Sequence, residues 1–499
     1  MSTNSFTFLA FVAVVFALFY VIKGKLRWAL LLLASFIFYA SQKAPHLLLA
    51  LGLVTLVSYW WGLKIQQSKK EGQKKTWLIS GIILNGLVLF GFRYLPLILK
   101  NIPSIAENPD WSFLGSLLTV GISFFVLQAI SYLIDIYLEV LKPEQHLGYF
   151  ALYLSFFPKL IQGPIERGGD LLPQLRTPYQ FDYDRMRLGL WKVERGLFKK
   201  LVLADRLALF VNAVYGKPQE YYGLPLILAT YLYALQIYFD FSAYTDIALG
   251  VAGMFGIRLT DNFNSPYLAD SIPEFWRRWH ISFSRWILDY IFKPIQLSLR
   301  NWQQWGSVIA LMITFLFSGI WHGASWGFLI WGALHGLYMA GSVLFSPLTK
   351  KTLKRLKLEK NKLVKVIQVF LTFNLVSFSW IFFRAKNLTD AGYIVTHLHR
   401  GIGSSLRQLL RSFTPQFSAE TFQKFLNPYL MGQDVKGALL LIALLLVALV
   451  MAIFHAKPKL REFPLNQPTL IRWGVYYLTV FAILFLGVFA SYQFIYNQF

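Results

Sequence analysis

Apolar runs of about 20 residues recur along the whole of this 499-residue chain, and each is long enough to cross a bilayer as a helix. Length alone, at about 150 residues per domain, would suggest three soluble domains. The runs overturn that expectation. Hydrophobic residues make up 56% of the chain and charged residues 14%, where an ordinary soluble protein carries about 25% charged. Soluble multi-domain, disordered and fibrous classes are excluded together. Lipid offers no partner to backbone N–H and C=O groups, so the runs must be helices. The fold class is an all-α polytopic membrane protein.

Lys and Arg number 48 against 24 Asp and Glu, a net charge of +24. These charges sit in short loops between apolar runs, the distribution that keeps loops cytoplasmic. No aromatic-basic module is present to carry nucleic acid, so the bilayer is the partner and nucleic acid is not. The chain has no Cys, which removes a disulfide framework, a thiol nucleophile and a zinc ribbon.

The first run, 6–22, has no positive residue before it and is followed by Lys23, Lys25 and Arg27. A secretory signal has the reverse order, so this reads as a retained span with its N-terminus outside. Further spans are expected at 28–42, 47–63, 77–97, 113–137, 223–255, 305–322, 325–345, 366–384, 437–454 and 473–496. Basic loops 64–75, 350–365 and 457–461 are then cytoplasmic, while 101–112, 386–436 and both termini are external. The chain divides into N-terminal spans (1–112), a core (113–345) and a C-terminal part (346–499). Within the core, Trp191 to Lys200 reads as an amphipathic helix in the cytoplasmic interface. Residues 262–300, rich in Trp, Arg and Pro, read as interfacial or re-entrant helices, which need a protein-lined cavity. No inverted repeat of the transporter kind is visible.

Five of the eight His (His46, His146, His397, His399 and His455) lie in loops or at span ends. His335, inside a span, suits an interhelical hydrogen bond. His322 lies in Phe317-Ser-Gly-Ile-Trp-His-Gly-Ala-Ser-Trp-Gly327, where Gly319, Gly323 and Gly327 at four-residue spacing would leave one helical face almost without side chains. Two readings stand: a tight helix contact holding a neutral His, or a general base beside a cavity. An imidazole with an ordinary pKa of about 6.5 suits the second role.

His280 lies in Pro273-Glu-Phe-Trp-Arg-Arg-Trp-His-Ile-Ser-Phe-Ser-Arg-Trp286. The Trp and Arg there suit an interfacial anchor. Arg277, Arg278 and Arg285 equally suit the phosphates of a nucleotide-bearing donor. Gln236, Asp240 and Tyr244 recur at four-residue steps inside one span. Such a stripe must find protein partners, as structural glue or as the polar wall of a site. There is no G-x-S-x-G elbow, H-E-x-x-H pair or phosphate loop, so hydrolase, zincin and NTPase readings lack support.

At these residues the chain resembles the membrane-bound O-acyltransferase family, in particular the bacterial alginate O-acetyltransferase membrane subunits and teichoic-acid D-alanyl transferases. The matching stretches are Val120-Gly-Ile-Ser-Phe-Phe, Ser131-Tyr-Leu-Ile-Asp135, Phe156-Phe-Pro-Lys-Leu-Ile-Gln-Gly-Pro-Ile165, Phe239-Asp-Phe-Ser-Ala-Tyr-Thr-Asp246, Asn262-Phe-Asn-Ser-Pro-Tyr267, Phe275-Trp-Arg-Arg-Trp-His-Ile-Ser282 and Ser318-Gly-Ile-Trp-His-Gly323. The resemblance implies a ring of about 11–13 membrane helices, with re-entrant and interfacial helices, around a tunnel. It implies catalytic roles for His322 and His280, and makes Gln236, Asp240, Tyr244, Ser318 and Trp321 candidates for lining the tunnel. It implies a thioester donor, acetyl-CoA or an acyl carrier protein, with no metal and no covalent cofactor. The expected setting is the bacterial cytoplasmic membrane, with an exopolysaccharide such as alginate, teichoic acid or peptidoglycan as acceptor, reached directly or through an extracytoplasmic acetyltransferase. A polysaccharide or lipid transporter is the rival from another class.

Overall fold

The structure is a computed structural model, and it describes all residues except 23, 43–44, 100–120, 178, 405–406, 408–429, 432–433, 457–462, 490–493 and 495–499. Among the described residues every regular element is a helix. Eight of them are long and apolar enough to cross a membrane, and three shorter apolar helices, Phe6–Val21, Arg27–Ala40 and Ile122–Tyr137, accompany them. Together they coincide with every span expected from the sequence. The first residues of span 113–137 lie outside the described residues, as do loops 101–112 and 457–461 and most of 386–436. The last helix ends at Leu486, ten residues before the expected limit.

The chain forms two compact units. The first comprises the described parts of Met1–Leu197, Phe241–Asn262 and Gln493–Phe499. It carries α1 (Phe6–Val21), α2 (Arg27–Ala40), α3 (Pro45–Gln67), α4 (Glu71–Leu89), α5 (Leu95–Leu99), α6 (Ile122–Tyr137), α7 (Leu147–Ser155), α8 (Gly168–Arg176) and α9 (Tyr183–Phe198). The second comprises Phe198–Asp240 and Phe263–Tyr492. Its helices are α10 (Asp205–Gly216), the first part of α11 (Leu224–Met254), α12 (Ile272–Arg278), α13 (Ile281–Ile287), α14 (Lys293–Ser298), α15 (Gln303–His322), α16 (Trp326–Arg355), α17 (Lys362–Arg384), α18 (Leu388–His397), α19 (Val435–Ala456) and α20 (Thr469–Leu486). The rest of α11 belongs to the first unit.

Helix starts follow local chemistry. The side chains of Ser5, His146, Ser325, Asn361 and Asn387 each accept from amides of the first turn that follows them, which satisfies donors that a helix leaves orphaned. The first unit also buries a non-helical stretch, Phe156 to Glu166. Polar groups in it are met from surrounding parts of the same unit. Ser35 Oγ accepts from the Phe157 amide at 3.1 Å, and the Lys159 ammonium donates to Gln128 at 2.8 Å. Glu166 accepts from the Thr260 amide and hydroxyl at 2.6 and 3.0 Å.

Three expectations need correction. Trp191 to Lys200 is not one regular α-helix, because α9 ends at Phe198 and a π turn begins at Lys199. Arg195 binds Asp246 through two bonds of 3.0 and 2.7 Å, and the buried Lys200 lies 2.7 Å from Asp240, so carboxylates on α11 supply counter-charge to both. The basic stretch 350–365 is largely helical, since α16 runs to Arg355 and α17 begins at Lys362. Gly319, Gly323 and Gly327 do not share one helical face, because α15 stops at His322 and a break separates it from α16.

The glycines still explain how α15 and α16 meet. A Cβ on Gly319 would lie 2.5 Å from the Phe328 carbonyl oxygen, and one on Gly332 would lie 2.4 Å from that of Phe315. Backbone approaches backbone, as small residues permit between membrane helices. Gly319→Ala or Gly332→Ala should cost about 1–3 kcal/mol by overpacking. Gly86→Ala, with nothing within 4 Å of its Cβ, should be neutral or stabilising. Thermal unfolding of the full chain in detergent separates these outcomes.

Candidate functional site

His322 is the last residue of α15, and the chain breaks from Gly323 to Ser325 before α16 begins. The break removes the side chain from a regular helical stack and leaves it at the end of the hairpin. There it is buried inside a shell of rings. Trp321 lies 4.8 Å away by ring centroids, Trp331 4.9 Å, Phe383 5.3 Å and Phe283 5.9 Å.

His280 reaches the same shell from a different element. It links the short helices α12 and α13 and caps the second with φ of 43°, a left-handed conformation uncommon for a side-chain-bearing residue and frequent at functional sites. The Asn264 amide, which donates to the Arg278 carbonyl at 3.0 Å, ties Asn262-Phe-Asn-Ser-Pro-Tyr267 to this turn. The His280 ring lies 5.1 Å from Phe283 and 6.3 Å from Trp321, and both of those rings also touch His322. Complete burial pushes the His280 imidazole down to about 3, so at neutral pH it works as an uncharged hydrogen-bonding group.

The third buried His has a different surrounding. His335 Nδ1 accepts from Trp276 Nε1 at 3.2 Å, and its Nε2 lies 2.9 Å from Ser379 Oγ. It joins α12, α16 and α17 and is satisfied on both nitrogens. This is the interhelical role that its place in a span suggested.

The remaining sequence candidates separate into groups. Ser318 and Trp321 lie with His322 on the last turns of α15, and both are buried. Arg277 and Arg278 bind Glu274 at 3.0 and 2.8 Å; Arg277 and Arg285 are exposed. Partial burial works against the Glu274 charge, but the two guanidinium groups hold its carboxyl below the ordinary range. The polar stripe on α11 is divided. The Tyr244 hydroxyl donates to the Pro158 carbonyl at 3.3 Å in the first unit. Asp240 instead accepts from the Lys200 ammonium at 2.7 Å in the second, with Gln236 one turn before it on the same helix. Among the described residues no cluster of three or more His, Asp or Glu is arranged to hold a metal ion.

Sequence reasoning missed Lys200 and Asp205. Lys200 also lies 2.8 Å from Asp205, and all three members of this group are buried. A signal existed, since five-residue spacing puts two side chains on one face of a π-helical turn. Such a turn spans Lys199–Ala204. Nothing in the local sequence, however, shows that the turn is π rather than α. The aromatic shell was also missed, because Phe283, Trp331 and Phe383 come from separate helices.

A match to the membrane-bound O-acyltransferase family extends over residues 36–383 and includes every element of this site. The chain belongs to that family. Like its members, it is a multi-pass membrane protein and an O-acyltransferase. It is 35% identical to the peptidoglycan O-acetyltransferase of Helicobacter pylori over 394 residues, covering 72% of this chain and 71% of that one. It is likewise 35% identical to the "Probable alginate O-acetylase AlgI" of Azotobacter vinelandii, over 78% of this chain and 76% of that protein. The teichoic acid D-alanyltransferase of Streptococcus thermophilus is 31% identical, over 58% of this chain and 72% of its own.

The Lys200 group gives a pH test of this acyltransferase. Two carboxylates share one ammonium, and burial raises Asp205 to about 7, against the pull of Lys200. A carboxyl raised in the fold binds a proton that the unfolded chain has already lost, so its contribution falls as pH rises from about 4 to 7. Asp205→Asn should therefore melt above wild type at pH 8, with the gap closing towards pH 5. Lys200→Met leaves both carboxylates without their cation and should cost about 3–5 kcal/mol. Melting curves of the three proteins across that pH range decide it.

Proposed function

We propose that this acyltransferase moves an acyl group, most simply acetyl, from a cytoplasmic thioester to a hydroxyl outside the membrane, with His322 as general base. The observation that carries this reading is the place of His322, buried at the break between two tightly packed spans and ringed by aromatic side chains. A general base must be held where water is excluded and a hydroxyl can still be received. The acceptor hydroxyl attacks the thioester carbonyl carbon while His322 takes its proton. The tetrahedral adduct then expels the thiolate, and the imidazolium returns the proton to sulfur. His280, uncharged and sharing Phe283 and Trp321 with His322, orients the base or the acyl group through hydrogen bonding.

Acetyl is favoured over D-alanyl because the relatives named for O-acetyl transfer match 72–78% of this chain at 35% identity, against 58–68% at 27–31% identity for the D-alanyltransferases. The donor is acetyl-CoA or an acetylated carrier protein. The acceptor is an envelope polymer, an exopolysaccharide such as alginate or else peptidoglycan, reached directly or through an extracytoplasmic acetyltransferase. Arg277, Arg278 and Arg285 are the candidates for holding donor phosphates, and Gln236, Asp240, Tyr244, Ser318 and Trp321 for lining the path of the acyl group.

His322→Ala should lower transfer by at least about 10²-fold, the lower range for loss of a general base, without changing expression or melting temperature. Acetyl ester content of the polymer and release of the donor thiol both read this out. Wild-type transfer by a folded His322→Ala protein removes the mechanism.

Sidedness follows from the same reading: the protein lies in the cytoplasmic membrane with both termini outside, basic stretches 64–75 and 350–365 inside and 386–436 outside. Single Cys residues can be introduced into a chain that has none. An impermeant thiol reagent applied to intact cells should label 386–436 and spare 64–75 and 350–365. The reverse pattern inverts the topology.

A further inference from the structure

Beside His322 the second unit buries two hydrogen-bonding groups with no partner among the described residues, Ser318 Oγ and Trp331 Nε1. Ser318 lies one helical turn before His322 on α15, so the two side chains share a face. Its hydroxyl does not bond back to the carbonyl four residues earlier, as Thr314 does to Ala310 at 2.7 Å on the same helix. Trp331 approaches from α16, its ring 4.9 Å from that of His322 and nearly perpendicular at 89°.

Neighbouring tryptophans show what an indole N–H ordinarily does here. Trp276 donates to His335 at 3.2 Å, and Trp380 donates to the Tyr267 hydroxyl at 3.2 Å. An unsatisfied buried donor costs about 1–3 kcal/mol. Two of them beside one imidazole, in an otherwise aromatic shell, call for an acceptor that arrives with the reaction. An indole N–H is a donor only, and a hydroxyl can donate. The group they suit is therefore an oxygen that gains negative charge.

We infer that the Ser318 hydroxyl and the Trp331 indole N–H take up the negative charge that develops on the thioester carbonyl oxygen during transfer at His322. This inference rests on the base role proposed above. As the acceptor oxygen bonds to the carbonyl carbon, the C=O π pair moves onto oxygen and His322 holds the acceptor's proton. When the adduct collapses, that pair re-forms the C=O bond and the C–S bonding pair leaves with sulfur, which recovers the proton. Donors fixed before the reaction and surrounded by rings of low polarity act on the adduct more strongly than on the neutral thioester. The glycine contacts of α15 with α16 hold the two donors in place.

The test uses the full chain in lipid nanodiscs, with acetyl-CoA as probe and thiol release followed by a thiol-reactive chromophore; the protein has no Cys to add background. Ser318→Ala and Trp331→Phe should each lower kcat by about 10²–10³-fold, the range for loss of one oxyanion donor, with KM unchanged. Ser318→Thr, which keeps the hydroxyl, should recover most of the rate. With dithioacetyl-CoA, whose sulfur is a poor hydrogen-bond acceptor, wild type and the two variants should converge to within a few-fold. Near-wild-type kcat in both variants, while His322→Ala is inactive, overturns the inference and spares the base. An equal loss with both donors also overturns it, by showing a structural role. Activity in His322→Ala, or no thiol release by wild type from acetyl-CoA or an acetylated carrier protein, overturns the reading beneath and this inference with it.

Discussion

Lipid supplies no hydrogen-bond partners, and that constraint organises this protein. Each polar group carried into the membrane must be met by another part of the chain or bear the cost of being unmet. His335 is met on both nitrogens, by Trp276 and Ser379. Lys200 is met by Asp205 and Asp240, and the buried stretch around Lys159 and Glu166 by Gln128 and Thr260. Against that background Ser318 and Trp331 stand out, because their donors are unmet next to the buried imidazole of His322.

Close backbone packing gives the site its stiffness. Gly319 and Gly332 allow α15 and α16 to touch backbone to backbone, so the break at Gly323 presents His322 at a defined position. The shell around it comes from α13, α15, α16 and α17. Large planar side chains with few rotatable bonds fill such a shell at little cost in entropy. The unusual backbone of His280 is tolerated because the Asn264 amide and the helices on either side over-determine the turn.

The long spans were legible because a run of about 20 apolar residues has one stable solution in a bilayer. The broken character of 262–300 was legible too, from its Pro, Trp and charge. His322 and His280 were visible as ionisable groups without a local explanation, and the motifs around them pointed to the family that the comparison established. Where the reading failed, it extrapolated a local pattern through a break. Four-residue glycine spacing promised a single face, but the helix ends at His322, between Gly319 and Gly323, and Gly327 belongs to the next helix.

The sequence by itself therefore determined the class of protein, the position of its spans and the residues most worth suspecting, because hydropathy and helical period act over one or two turns. Only tertiary structure decided which residues meet. Lys200 and Asp240 are 40 positions apart, and only their pairing in the fold makes Lys200 a buried, matched ion. His280 and His322 are joined by Phe283 and Trp321 from two different helices. Contacts of that kind depend on how helices cross and on where a π turn re-aims a face, and no local spacing encodes either.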